Sequence, residues 1–144
     1  MQTQQEITTN KRRTRAPKII ISAEDLEHIE ALADGAVERN PALADRLFEE
    51  ISRARIVSAA KMPANVVSIG NRVTYRDDTS GQERCVTLVY PEDADITQQR
   101  VSLMTPIGVA LLGLSEGAAF HWDTRDSQRK TLTVIKVEPA GVEY

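Results

Sequence analysis

Apolar positions recur at two different spacings along this chain of 144 residues, and the change falls at Pro63. Before it, Leu26, Ile29, Leu32 and Ala33 stand three and four apart, as one stripe of a helix requires. Ser22 is placed to cap that helix, with Asp25 at the capping-box position and acids in the first turn that suit the positive end of the helix dipole. Gly35 is its expected stop. A second helix begins cleanly, with Asn40 as cap and Pro41 at the first helical position. Leu43, Leu47, Ile51 and Ala54 form its stripe, with Ala44 and Phe48 beside it. Each helix has about 12–15 residues and is about 18–22 Å long at the usual rise. Helices of this length are marginal alone in water, but two with a shared apolar seam pair as an antiparallel hairpin. Its tip is expected at residues 34–40. Residues 1–17 have no such period, end in Pro17 and read as a disordered tail; Lys18 to Ile21 is a short apolar lead-in.

After Pro63 the period shortens to two. Val66-Val67-Ser68-Ile69 is rich in β-formers, Arg72 to Tyr75 alternates, and residues 77–81 have the composition of a hairpin loop. Arg84 to Tyr90 alternates again, with Val86, Leu88 and Tyr90 on one face and Cys85, Thr87 and Val89 on the other. Pro91 to Gln98 reads as polar loop, Arg100 to Met104 as strand, and Thr105-Pro106 as the start of a short helix that Gly113 closes. Ala118 to Thr124 and Thr131 to Val137 are two further strands. The expected architecture is α+β: a helical hairpin, then a mostly antiparallel sheet with one short helix. The division is a tail at 1–17, a hairpin at 18–61 and a sheet domain at 62–144.

Composition adds limits. With 41% hydrophobic and 27% charged residues, a packed fold is expected. No apolar run approaches the roughly 18 residues of a membrane helix, so no membrane partner is expected. The polar start, Met1 to Asn10, is no signal peptide, and a cytoplasmic location follows as the expectation. One cysteine, Cys85, excludes an internal disulfide and a cysteine-based zinc site. Charge is uneven: Lys11, Arg12, Arg13, Arg15 and Lys18 face only Glu6 in the first 18 residues, while the formal total is −3. Those five cations are the candidate nucleic-acid contact. The acidic remainder weighs against a nucleic-acid-binding core, so direct binding is expected to be weak or absent.

The remaining candidates for chemistry are few. Gly108 and Gly113 have phosphate-loop spacing, but Leu114 and Ser115 follow where the lysine should stand. Those glycines read instead as allowing a short helix to approach the sheet and then stop. Cys85 lies mid-strand with no feature to lower its pKa, and His28 and His121 have no metal-ligand spacing. Asp34 and Glu38 near the hairpin tip could hold a cation in a partner's site, although charge is ordinary in an exposed loop. No catalytic residue, metal or cofactor is assigned, and the chain is not expected to be an enzyme. In the segment from Ser102 to Leu114, Leu103, Met104 and Ile107 are either core or a docking patch, and pattern alone favours core.

That segment also carries a resemblance. Met62-Pro63 with Val66-Val67, Asn71-Arg72-Val73, Arg76-Asp77, Leu88-Val89-Tyr90-Pro91, Ser102 through Gly108, Ala110 through Leu114, Gly117 and His121-Trp122 resemble the regulator of nucleoside diphosphate kinase (Rnk) family, relatives of the Gre transcript-cleavage factors. The resemblance covers about residues 19–138. It implies an N-terminal antiparallel coiled coil, a C-terminal domain of FKBP-like fold, and RNA polymerase as partner. By similarity to Gre factors, Met104, Thr105, Pro106, Ile107 and Gly108 dock at the rim of the secondary channel. The tip with Asp34, Glu38 and Asn40 then points into it. This reverses the preference for core at the turn. The hairpin is shorter than the Gre coiled coil and its tip lacks the Gre acidic motif, so channel occupancy without transcript cleavage is implied. An indirect effect on nucleoside diphosphate kinase levels follows from the family, while no residue points to direct kinase contact. Two alternatives stay open: a prolyl isomerase, for which Phe48, Phe120, Trp122, Tyr75, Tyr90 and Tyr144 are a scant supply of aromatics, and a nucleic-acid-binding module acting through the tail.

Overall fold

The computed structural model describes residues 18–123 and 128–139. A first strand, β1 (Ile20–Ser22), runs directly into helix α1 (Ala23–Ala36). Ser22 caps α1 by accepting from the Asp25 backbone N–H. The helix does not stop at Gly35. Ala36 is buried in the hairpin and its carbonyl accepts from the Asn40 N–H at 2.9 Å, so packing carries the helix past the glycine. Asn40 caps α2 (Pro41–Arg53) through its side-chain oxygen on the Leu43 N–H. Ala54, expected in the helical stripe, is instead its extended C-cap residue.

The lead-in is more than a linker. Strand β1 pairs in parallel with β2 (Arg55–Val57), clamping the two ends of the hairpin together. The Ile20 N–H also donates to the Gly113 carbonyl. Gly113 is required there: its φ is +79°, and a Cβ would lie 2.8 Å from that of Ile19.

The main sheet has five strands in the order β5-β4-β3-β7-β6, formed by β3 (Arg72–Asp77), β4 (Glu83–Val89), β5 (Arg100–Ser102), β6 (Ala119–Asp123) and β7 (Arg129–Glu138). It is not wholly antiparallel, since β5 pairs with β4 in parallel. The short helix α3 (Pro106–Leu111) follows β5. Val66 to Ile69, expected as a strand, forms only a single bridge, Val66 to Ser115. Its Val67 N–H and carbonyl are taken by Leu114 and Gly113 beyond α3, so its β-formers are buried without joining the sheet.

One apolar core joins all of this. Ile19, Ile21, Ile29 and Leu47 from the hairpin region cluster with Val73, Leu88, Leu103, Leu111 and Leu132 from the sheet, the turn after β5 and α3. Polar ties reinforce the junction. Tyr90 stacks on His28 with ring centroids 3.9 Å apart and donates its hydroxyl to Asp25 at 3.0 Å. Burial and the Asp25 carboxylate raise the Tyr90 hydroxyl pKa above its ordinary value. The Glu24 carboxylate accepts from the Ala59 N–H at 2.8 Å.

Candidate functional site

The segment singled out in the sequence forms a tight turn between β5 and α3. Thr105 is extended and its hydroxyl accepts from the Gly108 N–H at 3.0 Å, capping the helix. The same hydroxyl donates to the Ser102 carbonyl at 2.8 Å, while the Ser102 hydroxyl accepts from the Met104 N–H at 2.9 Å. Pro106 takes the first helical position, where it lacks nothing the helix needs. Leu103 points into the core and is fully buried. Met104, Thr105 and Ile107 are half-buried and Pro106 is exposed. Pattern alone therefore held for Leu103. Gly108 is buried against the preceding backbone: a Cβ there would meet the Ser102 carbonyl oxygen at 2.2 Å. Its part is to let α3 start that close to the β5 exit.

This turn borders an open cleft of about 1190 Å³ between the hairpin and the sheet. Helix α2 supplies one wall through Asn40, Leu43 and Arg46. Arg46 reaches the turn itself and donates to the Pro106 carbonyl at 3.3 Å. Its guanidinium lies over two rings, 5.3 Å from the centroid of Trp122 and 5.9 Å from that of Phe120. Burial lowers the Arg46 pKa, against the opposing pull of Glu50 and Glu49. One turn along the helix, Glu50 is buried and ion-paired with Arg53. Desolvation pushes its carboxyl up to about 7, with Arg53 and Arg46 acting the other way. Arg46 was not singled out in the sequence; its helical spacing looked like that of any surface cation.

The other sequence candidates do not converge. Asp34 and Glu38 are exposed near the tip, whose connection is residues 37–40, and the side chain of Asn40 is occupied as a cap. Cys85 Sγ accepts from Arg72 Nε at 3.1 Å rather than facing a histidine. His28 stacks on Tyr90, and His121 shares a 3.0 Å hydrogen bond with the Thr131 hydroxyl. Among the described residues no group of three or more His, Cys, Asp or Glu side chains is arranged to hold a metal. Nor is any helix among them long and apolar enough to cross a membrane. Lys11, Arg12, Arg13 and Arg15 lie outside the described residues; Lys18 is exposed.

Comparison with known proteins decides the lineage. Residues 17–57 match the family described as the Rnk N-terminus, and residues 62–139 match that of the transcription elongation factor GreA/GreB C-terminal domain. The "Regulator of nucleoside diphosphate kinase" of Escherichia coli (strain K12) is 36% identical over 122 residues, covering 85% of this chain and 90% of that protein. The chain belongs to the Rnk family, related to the Gre factors. "Transcription elongation factor GreA" of Rickettsia felis is 36% identical over 97 residues, but the match spans only 59% of that relative. Among solved structures, the "Prokaryotic transcription elongation factor GreA/GreB from Nitrosomonas europaea" is similar with a TM-score of 0.64 and 32% identity, covering 85% of this chain and 99% of that one.

Proposed function

We propose that this Rnk-family chain is a non-enzymatic transcription regulator that binds RNA polymerase at the rim of the secondary channel. The Thr105–Ile107 turn docks, and the hairpin points into the channel. On this reading the sheet domain is FKBP-like and the hairpin a short coiled coil, divided near Met62. The observation that carries it is the turn itself. Pro106 stands exposed on a backbone locked by Ser102, Thr105 and Gly108, which is the form of a pre-ordered contact. The family match over residues 62–139 supports polymerase as the partner.

Hairpin length supports occupancy without transcript cleavage. Helices of 14 and 13 residues extend about 20 Å, and the chain spans little more than half of its GreA relatives. An effect on nucleoside diphosphate kinase levels is then indirect, through transcription. The isomerase alternative gains Tyr75 and Trp122 in one cleft, but the Arg46 guanidinium covers the ring that a proline would need.

Replacing Pro106 with Glu tests the reading. Pro106 is exposed, so the variant should keep the wild-type melting temperature and lose binding to core RNA polymerase by at least about tenfold. Wild-type affinity in a folded Pro106→Glu variant would remove the turn from the contact.

A further inference from the structure

Helix α2 carries Arg46, Glu50 and Arg53 at successive spacings of four and three. Side chains so spaced are neighbours, with Cβ atoms about 5–6 Å apart. Glu50 is only 5% exposed and is the one acid buried among the described residues. Arg53 engages its Oε1, while its Oε2 meets no hydrogen-bond donor among the described residues. A carboxylate accepts on both oxygens, so an ionised Glu50 would be buried with half of its acceptors unused. A neutral carboxyl is far less costly to hold there.

The Arg46 guanidinium lies within reach of two acceptors. Its bond to the Pro106 carbonyl, at 3.3 Å, is long for a hydrogen bond, and its remaining support is the faces of Trp122 and Phe120. One turn along the helix is the Glu50 carboxyl. Burial lowers the Arg46 pKa, and Glu50 is the chief group opposing that. Desolvation pushes the Glu50 carboxyl up to about 7, against Arg53 and Arg46, so it is neutral below that pH and charged above it. The charges acting on Glu50 are those of Arg53, Arg46 and Glu49, all on α2. Helix α3, packed on α2, has no charged side chain. On α1, Asp25 and His28 turn to Tyr90 and Glu24 to Ala59, while Glu27, Glu30 and Asp34 are exposed. Arg55 on β2 is exposed, and on β6 His121 bonds Thr131 while Asp123 pairs with Arg129. We propose that Glu50 is a proton-controlled switch on Arg46. Neutral, it leaves the guanidinium over Trp122 and on the Pro106 carbonyl; ionised, it draws the guanidinium one turn along α2 and bares both. The arginine stem is long enough to make this move while the backbone stays in place. The switch acts on the wall of the cleft whatever occupies it, and so does not depend on polymerase as the partner.

Trp122 is the single tryptophan of the chain and reports the move directly. Its fluorescence and its quenching by acrylamide are followed in the full chain from about pH 5 to about pH 9, with the guanidinium carbon resonance of Arg46 read by NMR in parallel. In the wild type both signals should change through one midpoint near pH 7, with quenching greater on the alkaline side as the ring is bared. Glu50→Gln should lose the transition and keep the weakly quenched state throughout. Arg46→Met should also lose it, but remain in the strongly quenched state. His121 adjoins Trp122 and is itself titratable, so His121→Gln is the control and should keep the transition. A flat wild-type trace, a transition that survives Glu50→Gln, or one that His121→Gln abolishes overturns the proposal. If Glu50→Gln fails to fold, the wild-type Arg46 resonance decides: a shift through pH 7 together with the Trp122 signal upholds the switch, and no shift there contradicts it.

Discussion

Two residues set the local terms of this structure. Gly108 leaves no room for a methyl group, since a Cβ would press into backbone rather than into a side chain that could move. Gly108→Ala should therefore cost about 3 kcal/mol, the upper range for overpacking, against about 1 kcal/mol for removing the Thr105 cap with Thr105→Ala. Urea unfolding of the two variants checks the order, and equal costs would mean that the turn shifts to accept the methyl. Glu50 carries a pH signature. Its carboxyl goes from about 4.5 unfolded to about 7 folded, so between those values the folded chain holds more protons than the unfolded one. Its contribution is fully present below about pH 4.5 and is lost as pH rises through about 7, by up to about 3 kcal/mol. Unfolding free energies at pH 5 and pH 8 should fall more for the wild type than for Glu50→Gln. Parallel falls would show that the carboxyl titrates normally.

At the scale of elements, the hairpin is held by a latch as well as by its seam. Tyr90→Phe removes the hydroxyl bonded to Asp25 while keeping the stack on His28, and should cost about 1 kcal/mol in denaturant unfolding. No loss would show that solvent replaces this bond without cost. The elements differ in how plainly the chain announced them. Both helix starts were legible because caps act within three residues: Ser22 on Asp25, Asn40 on Leu43. The β1–β2 pair was not, because each strand has three residues and its partner lies 35 positions away, as Ile20 to Arg55 shows. Val66 to Ile69 misled in the opposite sense, since burial and β-strand pairing both favour such residues and here only burial operates. The turn into α3 could be read from Thr105 and Pro106, whereas the cleft could not. It is assembled from α2, the sheet strands and two connections, and Arg46 gains its contacts with Phe120 and Trp122 only once these meet.

For the whole molecule, the shared core means that hairpin and sheet stand or fall together. The single tryptophan, Trp122, lies in the sheet domain, while α1 and α2 supply most of the helical signal. Thermal unfolding followed by tryptophan fluorescence and by far-ultraviolet circular dichroism should give coincident transitions. An earlier loss of helix would contradict one cooperative unit. On the proposed polymerase reading that rigidity bears on function, because α2 contacts the Thr105–Ile107 turn through Arg46 and so ties the hairpin's direction to that of the turn. The most direct measurement is competition between the purified chain and a GreA protein for core RNA polymerase. Mutual displacement is expected, with no transcript cleavage by this chain in stalled complexes. Simultaneous binding of both proteins, or no binding at micromolar concentration, would contradict it.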